Sequence, residues 1–112
     1  MTRALAAAAA GLAAANVRSG ERVLDVGCGC GDTSIALNAM GANVLGVDVS
    51  GPMLARARSR DASIEYHQAD AATTDFDREF DLVFSRFGVM FFDDPRAAFE
   101  NLCSALKPGR CF

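Results

Sequence analysis

Val23-Leu24-Asp25-Val26-Gly27-Cys28-Gly29-Cys30-Gly31 decides the fold of this 112-residue chain. An apolar run carrying one acid enters three alternating glycines, and a segment of helical periodicity follows from Asp32 to Met40. Strand, glycine turn, helix is how an α/β sheet builds a nucleotide pocket. Glycine takes φ > 0 at little cost and lets the backbone approach a ligand closely. The following helix aims its first N–H groups at whatever sits there. The dinucleotide fingerprint reads G-x-G-x-x-G. Here Gly31 comes one position early and Asp32 stands where that fingerprint has glycine. A glycine-rich turn that binds nothing is the alternative reading of this stretch alone.

Length and composition bound the rest. The chain makes one small domain, with 51% hydrophobic residues and a net charge of −3 from 11 basic and 14 acidic residues. Nucleic-acid surfaces carry a basic stripe, so no nucleic-acid partner is expected. Cys28, Cys30, Cys103 and Cys111 make an even count, which in a short chain raises a disulfide framework. That framework is rejected because Cys28 and Cys30 flank Gly29 inside the turn. C-x-C also lacks zinc spacing, so no metal is expected. Free thiols then point to a reducing compartment, the cytoplasm. Met1 to Val17 is alanine-rich, with Arg3 ahead of it. It mimics a signal peptide, but alanine is the best helix former and a weak hydrophobe. The preferred reading is an amphipathic helix packed beside the first strand. No stretch is long and apolar enough to span a bilayer.

Along the chain, residues 1–20 read as an N-terminal alanine-rich helix and turn, and residues 21–112 as the principal domain. Strands are expected at about Arg22–Val26, Asn43–Val49, Ser63–Gln68 and Phe80–Ser85. Arg110-Cys111-Phe112 reads as the start of a fifth strand. Helices are expected from Asp32 to Met40, stopped by Gly41; from Ser50-Gly51-Pro52 to near Asp61; and from Asp94-Pro95 to about Leu106. Ser50 is a plausible N-cap, and Pro52 sits early, where its missing N–H costs little. Strands alternating with helices imply parallel βαβ units with right-handed crossovers. The fold class is therefore α/β, a Rossmann-like doubly wound parallel sheet, incomplete at four strands plus the start of a fifth. Ligands in such sheets bind beyond the carboxyl ends of the strands, at the switch point beside the first one.

Asp25, Asp48 and Asp70 fall at or near those carboxyl ends. Asp48 lies 21 residues after Gly27, where an acid can accept hydrogen bonds from both ribose hydroxyls; the plainer reading is an acid that complements a helix dipole. Asp70 is placed to accept from an adenine amino group, with the Ala71 N–H meeting a ring nitrogen; the plainer reading is a loop acid.

The whole pattern resembles a known family. Val23 to Gly31, Gly46-Val47-Asp48-Val49-Ser50-Gly51-Pro52-Met53-Leu54, Tyr66-His67-Gln68-Ala69-Asp70-Ala71, Phe80-Asp81-Leu82-Val83-Phe84-Ser85 and Leu106-Lys107-Pro108-Gly109 follow in order. Together, over about residues 20 to 112, they resemble the class I S-adenosylmethionine-dependent methyltransferases. The likeness is to the bacterial small-molecule branch that includes the ubiquinone and menaquinone biosynthesis enzymes. The resemblance implies S-adenosyl-L-methionine as cofactor and a small molecule as methyl acceptor. It implies that Gly27, Cys28 and Gly29 line the methionine part, and that Asp25 helps hold its amino group, directly or through water. Asp48 would take the ribose hydroxyls, Val49 and Met53 would cover the adenine face, and Asp70 and Ala71 would read the adenine edge. Ser85 would face the transferring methyl. The sequence departs from the family at Cys30, where Thr or Ser is usual, and at Arg110, where a second glycine is usual.

The family's full sheet has seven strands, so the chain is expected to be a truncated or partial record of a longer enzyme. The strand Phe80–Ser85 would then lie at or near an exposed edge, and Phe87 to Phe92 would lose cover. Such edges invite self-association. No general base is assignable: His67 reads as structural, and Arg86 either orients an anionic substrate or is a solvated arginine. The leading function is a methyltransferase or its cofactor-binding portion. The alternatives are a nicotinamide-dinucleotide-binding module and a non-catalytic remnant.

Overall fold

Residues 5–7, 17–76, 79–85 and 94–107 are described by the computed structural model. Five parallel strands, β1 (Leu5–Ala7), β2 (Arg22–Val26), β3 (Asn43–Asp48), β4 (Glu65–Gln68) and β5 (Leu82–Ser85), form one sheet in the order β1-β5-β2-β3-β4. Three helices are described: α1 (Asp32–Ala39), α2 (Gly51–Arg60) and α3 (Pro95–Ala105). From β2 the chain steps outward to β3 and then β4, and returns to the other side of β2 with β5. This reversal places the switch point at the end of β2, where the glycine turn begins.

Alternation along β2 sorts the core into two layers. Leu24 and Val26 face one way, joining Leu45, Val83 and the α3 residues Leu102 and Ala105. Val23 faces the other, with Val44, Leu82, Leu37 of α1 and Leu54 of α2. Both faces are covered, which explains why β2 and β3 read as nearly continuous apolar runs. Each fully buried leucine contributes about 1.5–3 kcal/mol, so Leu54 is the chief anchor of the otherwise polar α2.

Local chemistry sets the helix ends. The Ser50 hydroxyl accepts the Met53 N–H at 3.3 Å and the Asp94 carboxylate accepts the Ala97 N–H at 3.1 Å. A proline follows each cap in the first turn, as the sequence predicts. Gly41, at φ 93°, ends α1.

Several expectations are corrected. Leu5–Ala7 is a strand, paired in parallel with Val83–Ser85, where an alanine-rich helix was expected. The remainder of that segment up to residue 16 lies outside the described residues. As a consequence β5 is not an edge strand; β1 flanks it on one side and β2 on the other, which removes the first of the two stated reasons for self-association. Strand β5 starts at Leu82 rather than Phe80, because Asp81 bends the chain: its carboxylate accepts the Arg22 N–H at 2.9 Å and meets Lys107 at 2.9 Å. Phe80 instead bridges to Leu106. Cys28 and Cys30 are free thiols, but Cys103 is disulfide-bonded, so the expectation of four free cysteines fails. The expected strand start at 110–112, the segment 87–92 and Arg86 lie outside the described residues. No helix among the described residues is long and apolar enough to cross a membrane.

Gly46 shows how tightly the upper layer is filled. A Cβ built there would lie 2.7 Å from Tyr66 Cδ1 and 2.9 Å from Ser34 Oγ. Gly46→Ala is expected to lower stability by about 1–3 kcal/mol through overpacking, read as a lower urea midpoint at unchanged m-value.

Candidate functional site

The glycine turn is built by three left-handed residues, Gly27 (φ 71°), Gly29 (φ 56°) and Gly31 (φ 95°). Its entry is pinned from below, where the Gly27 and Cys28 N–H groups donate to the Val47 carbonyl at 2.9 and 3.1 Å. A Cβ at Gly27 would meet no atom of the described residues within 4 Å. Gly31 has the opposite surroundings: a Cβ there would lie 2.7 Å from the Tyr66 hydroxyl. One glycine leaves room above the turn, and another makes room for a side chain beneath it.

Asp48, at the end of β3, faces the turn. Its Oδ2 accepts the Gly29 N–H at 2.9 Å and its Oδ1 accepts the Ser50 N–H at 2.9 Å. A carboxylate offers about four lone-pair sites, so each oxygen keeps acceptor capacity after these bonds. Beside it Val49 is 65% exposed and Met53 is 42% exposed. A Cβ on Gly29 would lie 3.4 Å from the Met53 methyl, which places Met53 against the turn. Two large apolar side chains left open next to a half-buried carboxylate form a mixed surface suited to a flat, partly polar ligand.

Asp25 stands behind the turn. It has no exposed surface, and its Oδ2 accepts the Ser34 hydroxyl from the first turns of α1 at 2.6 Å. Tyr66 packs over Ser34 and Gly46 and is 4% exposed. Burial pushes its phenol up from the ordinary value, with the Ser34 hydroxyl opposing that rise. Sequence reading missed Ser34 and Tyr66. The alternation of β4, in which only Tyr66 is buried, was the available signal for the second.

Asp70 follows β4 in an exposed turn, where its Oδ1 accepts the Ala72 N–H at 2.9 Å. Ala71 is buried in the α3 layer. Ser85, at the end of β5, is buried and registers with Val26. The carboxyl ends of β2, β3, β4 and β5 thus bring Gly27, Asp48, Asp70 and Ser85 to one end of the sheet. His67 is not among them; it is exposed on the edge strand β4, with Nε2 3.3 Å from Glu65.

Cys28 differs from its glycine neighbours because its side chain turns into the core. Burial first, then the charges of Asp25 and Asp48, push its thiol up to about 12. On the outer side of the turn, Arg60 of α2 donates to the Cys30 carbonyl at 2.9 Å and to Asp32 at 2.6 Å. Asp32 therefore puts a carboxylate in the first turn of α1.

Parallel topology, switch point and glycine turn define a Rossmann-like α/β domain. A family model described as a methyltransferase domain matches residues 23–109, and the chain belongs to that family. The resemblance to class I S-adenosylmethionine-dependent methyltransferases is borne out by solved structures. An S-adenosylmethionine-dependent methyltransferase from Mesorhizobium loti superposes with a TM-score of 0.74 at 37% identity, over 81% of this chain and 43% of that one. Haemonchus contortus phosphoethanolamine N-methyltransferase 2, in complex with S-adenosyl-L-methionine, gives 0.74 at 38% identity, over 83% of this chain and 23% of that one. Demethylmenaquinone methyltransferase of Clavibacter sepedonicus is 41% identical over 95 residues, 81% of this chain. The chain spans 38% to 39% of the length of such bacterial relatives.

The Cys28 environment yields a prediction. The folded chain keeps the thiol protonated to about pH 12, whereas the unfolded chain releases the proton near its ordinary value of 9.0. The unfolded state thus binds fewer protons in this window, and stability falls as pH rises from 9 towards 12. Iodoacetamide at pH 8 is expected to label Cys30 in the native chain and to reach Cys28 only after denaturation, as peptide mass mapping would show.

Proposed function

We propose that this chain is the S-adenosylmethionine-binding portion of a methyltransferase acting on a small molecule. The observation that carries the reading is the Asp48 carboxylate, held at the mouth of the glycine turn by two backbone N–H groups. A ribose needs such an acceptor for two adjacent hydroxyls. The surroundings fit the rest of the cofactor: the space that the described residues leave over Gly27 suits the methionine part, and exposed Val49 and Met53 suit the faces of an adenine.

Each residue then has a defined task. Gly27 and Gly29 let the ligand approach the backbone, and Cys28 contributes its backbone alone because its side chain is in the core. Asp70 accepts from the adenine amino group while the Ala71 N–H meets a ring nitrogen. Ser85 delimits the end at which the methyl leaves. Asp25 supports the turn from behind through Ser34, since it has no surface with which to touch a ligand directly. When bound, adenosylmethionine supplies a methyl already activated by its sulfonium. The chain's residues therefore act by holding and orienting rather than by covalent chemistry.

A nicotinamide dinucleotide fits less well. Its pyrophosphate would need the N-terminal N–H groups of α1, where Asp32, bridged to Arg60 at 2.6 Å, stands in place of the third glycine of the dinucleotide fingerprint.

Calorimetry with S-adenosylhomocysteine and with NAD tests the proposal. Binding of the first and none of the second is expected, and binding of NAD alone overturns it. Asp48→Ala is expected to lose about 1.5–3 kcal/mol of the first, roughly tenfold to a hundredfold in Kd.

A further inference from the structure

The turn after β4 is held from a direction that the cofactor reading does not require. Asn101, half-buried on α3, donates one amide proton to the Ala71 carbonyl at 2.7 Å and the other to the Thr74 carbonyl at 2.8 Å. Both partners are acceptors only, so the amide nitrogen and not the amide oxygen must face them. The helix that presents Asn101 is firmly seated, with Ala98, Leu102 and Ala105 all fully buried.

The bond to Ala71 has a second consequence. The Ala71 carbonyl and the Ala72 N–H belong to one planar peptide unit. Asn101 holds the carbonyl side of that plane, and its N–H side donates to Asp70 Oδ1 at 2.9 Å. The plane therefore cannot rotate without breaking a bond at one end, and its orientation dictates where the Asp70 carboxylate rests. The bond to Thr74 closes the same loop, since the Thr74 N–H and hydroxyl donate to the Asp70 carbonyl at 2.9 and 2.7 Å. Among the described residues Asp70 Oδ2 takes no hydrogen bond, and the side chain is exposed. One oxygen is fixed from within, and the other is presented outward.

We propose that Asn101 is a positioning residue that aims the Asp70 carboxylate, and so sets the preference of the site for a 6-amino purine over a 6-oxo purine. The inference rests on the cofactor reading above. A carboxylate acceptor pairs with an exocyclic amino group and opposes a carbonyl oxygen at the same place, so the preference depends on where Oδ2 points.

The test uses the full chain and two ligands, S-adenosylhomocysteine and S-inosylhomocysteine, with Kd values from calorimetry. The unaltered protein is expected to favour the adenosyl ligand by at least about tenfold. Asn101→Asp turns a carboxylate onto two carbonyl oxygens and should bring the two affinities to within about threefold. Asn101→Ala is the milder variant and carries the same comparison should the aspartate fail to fold. It should also speed exchange of the Thr73 and Thr74 amides by about tenfold while leaving β2 and β3 amides unchanged. An adenosyl-to-inosyl ratio that survives both substitutions overturns the assignment, as does an equal weakening of both ligands, which marks a merely structural role. Adenosyl binding with an unaltered ratio would remove the Asn101 assignment and leave the cofactor reading standing. A wild-type chain that binds neither ligand removes both.

Discussion

The Asp48 carboxylate ties the end of β3 to the middle of the glycine turn and to the start of α2, adding to the backbone bonds that Gly27 and Cys28 make to Val47. One oxygen takes the Gly29 N–H of the turn, and the other takes the Ser50 N–H at the mouth of α2. Three left-handed glycines give the turn its shape, and glycines lose more conformational freedom on folding than other residues. Charge-assisted hydrogen bonds from backbone N–H groups are stronger than neutral ones, so a carboxylate is the side chain best able to offset that entropy. The same group that organises the turn keeps acceptor capacity beyond those two bonds.

The two ends of the sheet treat charge differently. At the amino end of the strands, charged side chains find one another: Arg22 meets Glu65 at 3.1 Å and Glu79 at 3.5 Å, and lies 5.1 Å over the Phe80 ring, while Lys107 pairs with Asp81. At the carboxyl end, Asp48 and Asp70 take backbone N–H groups, while Asp32, at the start of α1, pairs with Arg60 at 2.6 Å. Acids satisfied by backbone donors keep lone pairs in hand, whereas acids matched to arginine or lysine are committed.

What could be read from the sequence was what depends on neighbours along the chain. The β2 boundaries, the Ser50 and Asp94 caps and the Gly41 stop follow from residue types within a few positions. What could not be read depends on distant partners. Leu5–Ala7 has strong local helix preference, yet pairing with β5 overrides it, and nothing in an alanine run announces a strand nearly eighty residues away. Ser34 looks like an ordinary helix residue until the fold brings it under Asp25. Asn101 looks like a solvent-facing polar residue until the turn after β4 is laid against α3. The acids themselves were identifiable, because strand ends can be counted. Whether each faces outward or inward was not, and Asp25 proved to be wholly interior.

Tyr66 is the chain's single tyrosine, and there is no tryptophan. Its ring rests on Gly46 and its hydroxyl reaches under Gly31, directly beneath the loop that would receive a nucleoside. Excited beyond the phenylalanine absorption band, the molecule therefore emits from one fluorophore at one location. Any rearrangement of that loop can be followed by fluorescence without attaching a dye or adding a reporter residue.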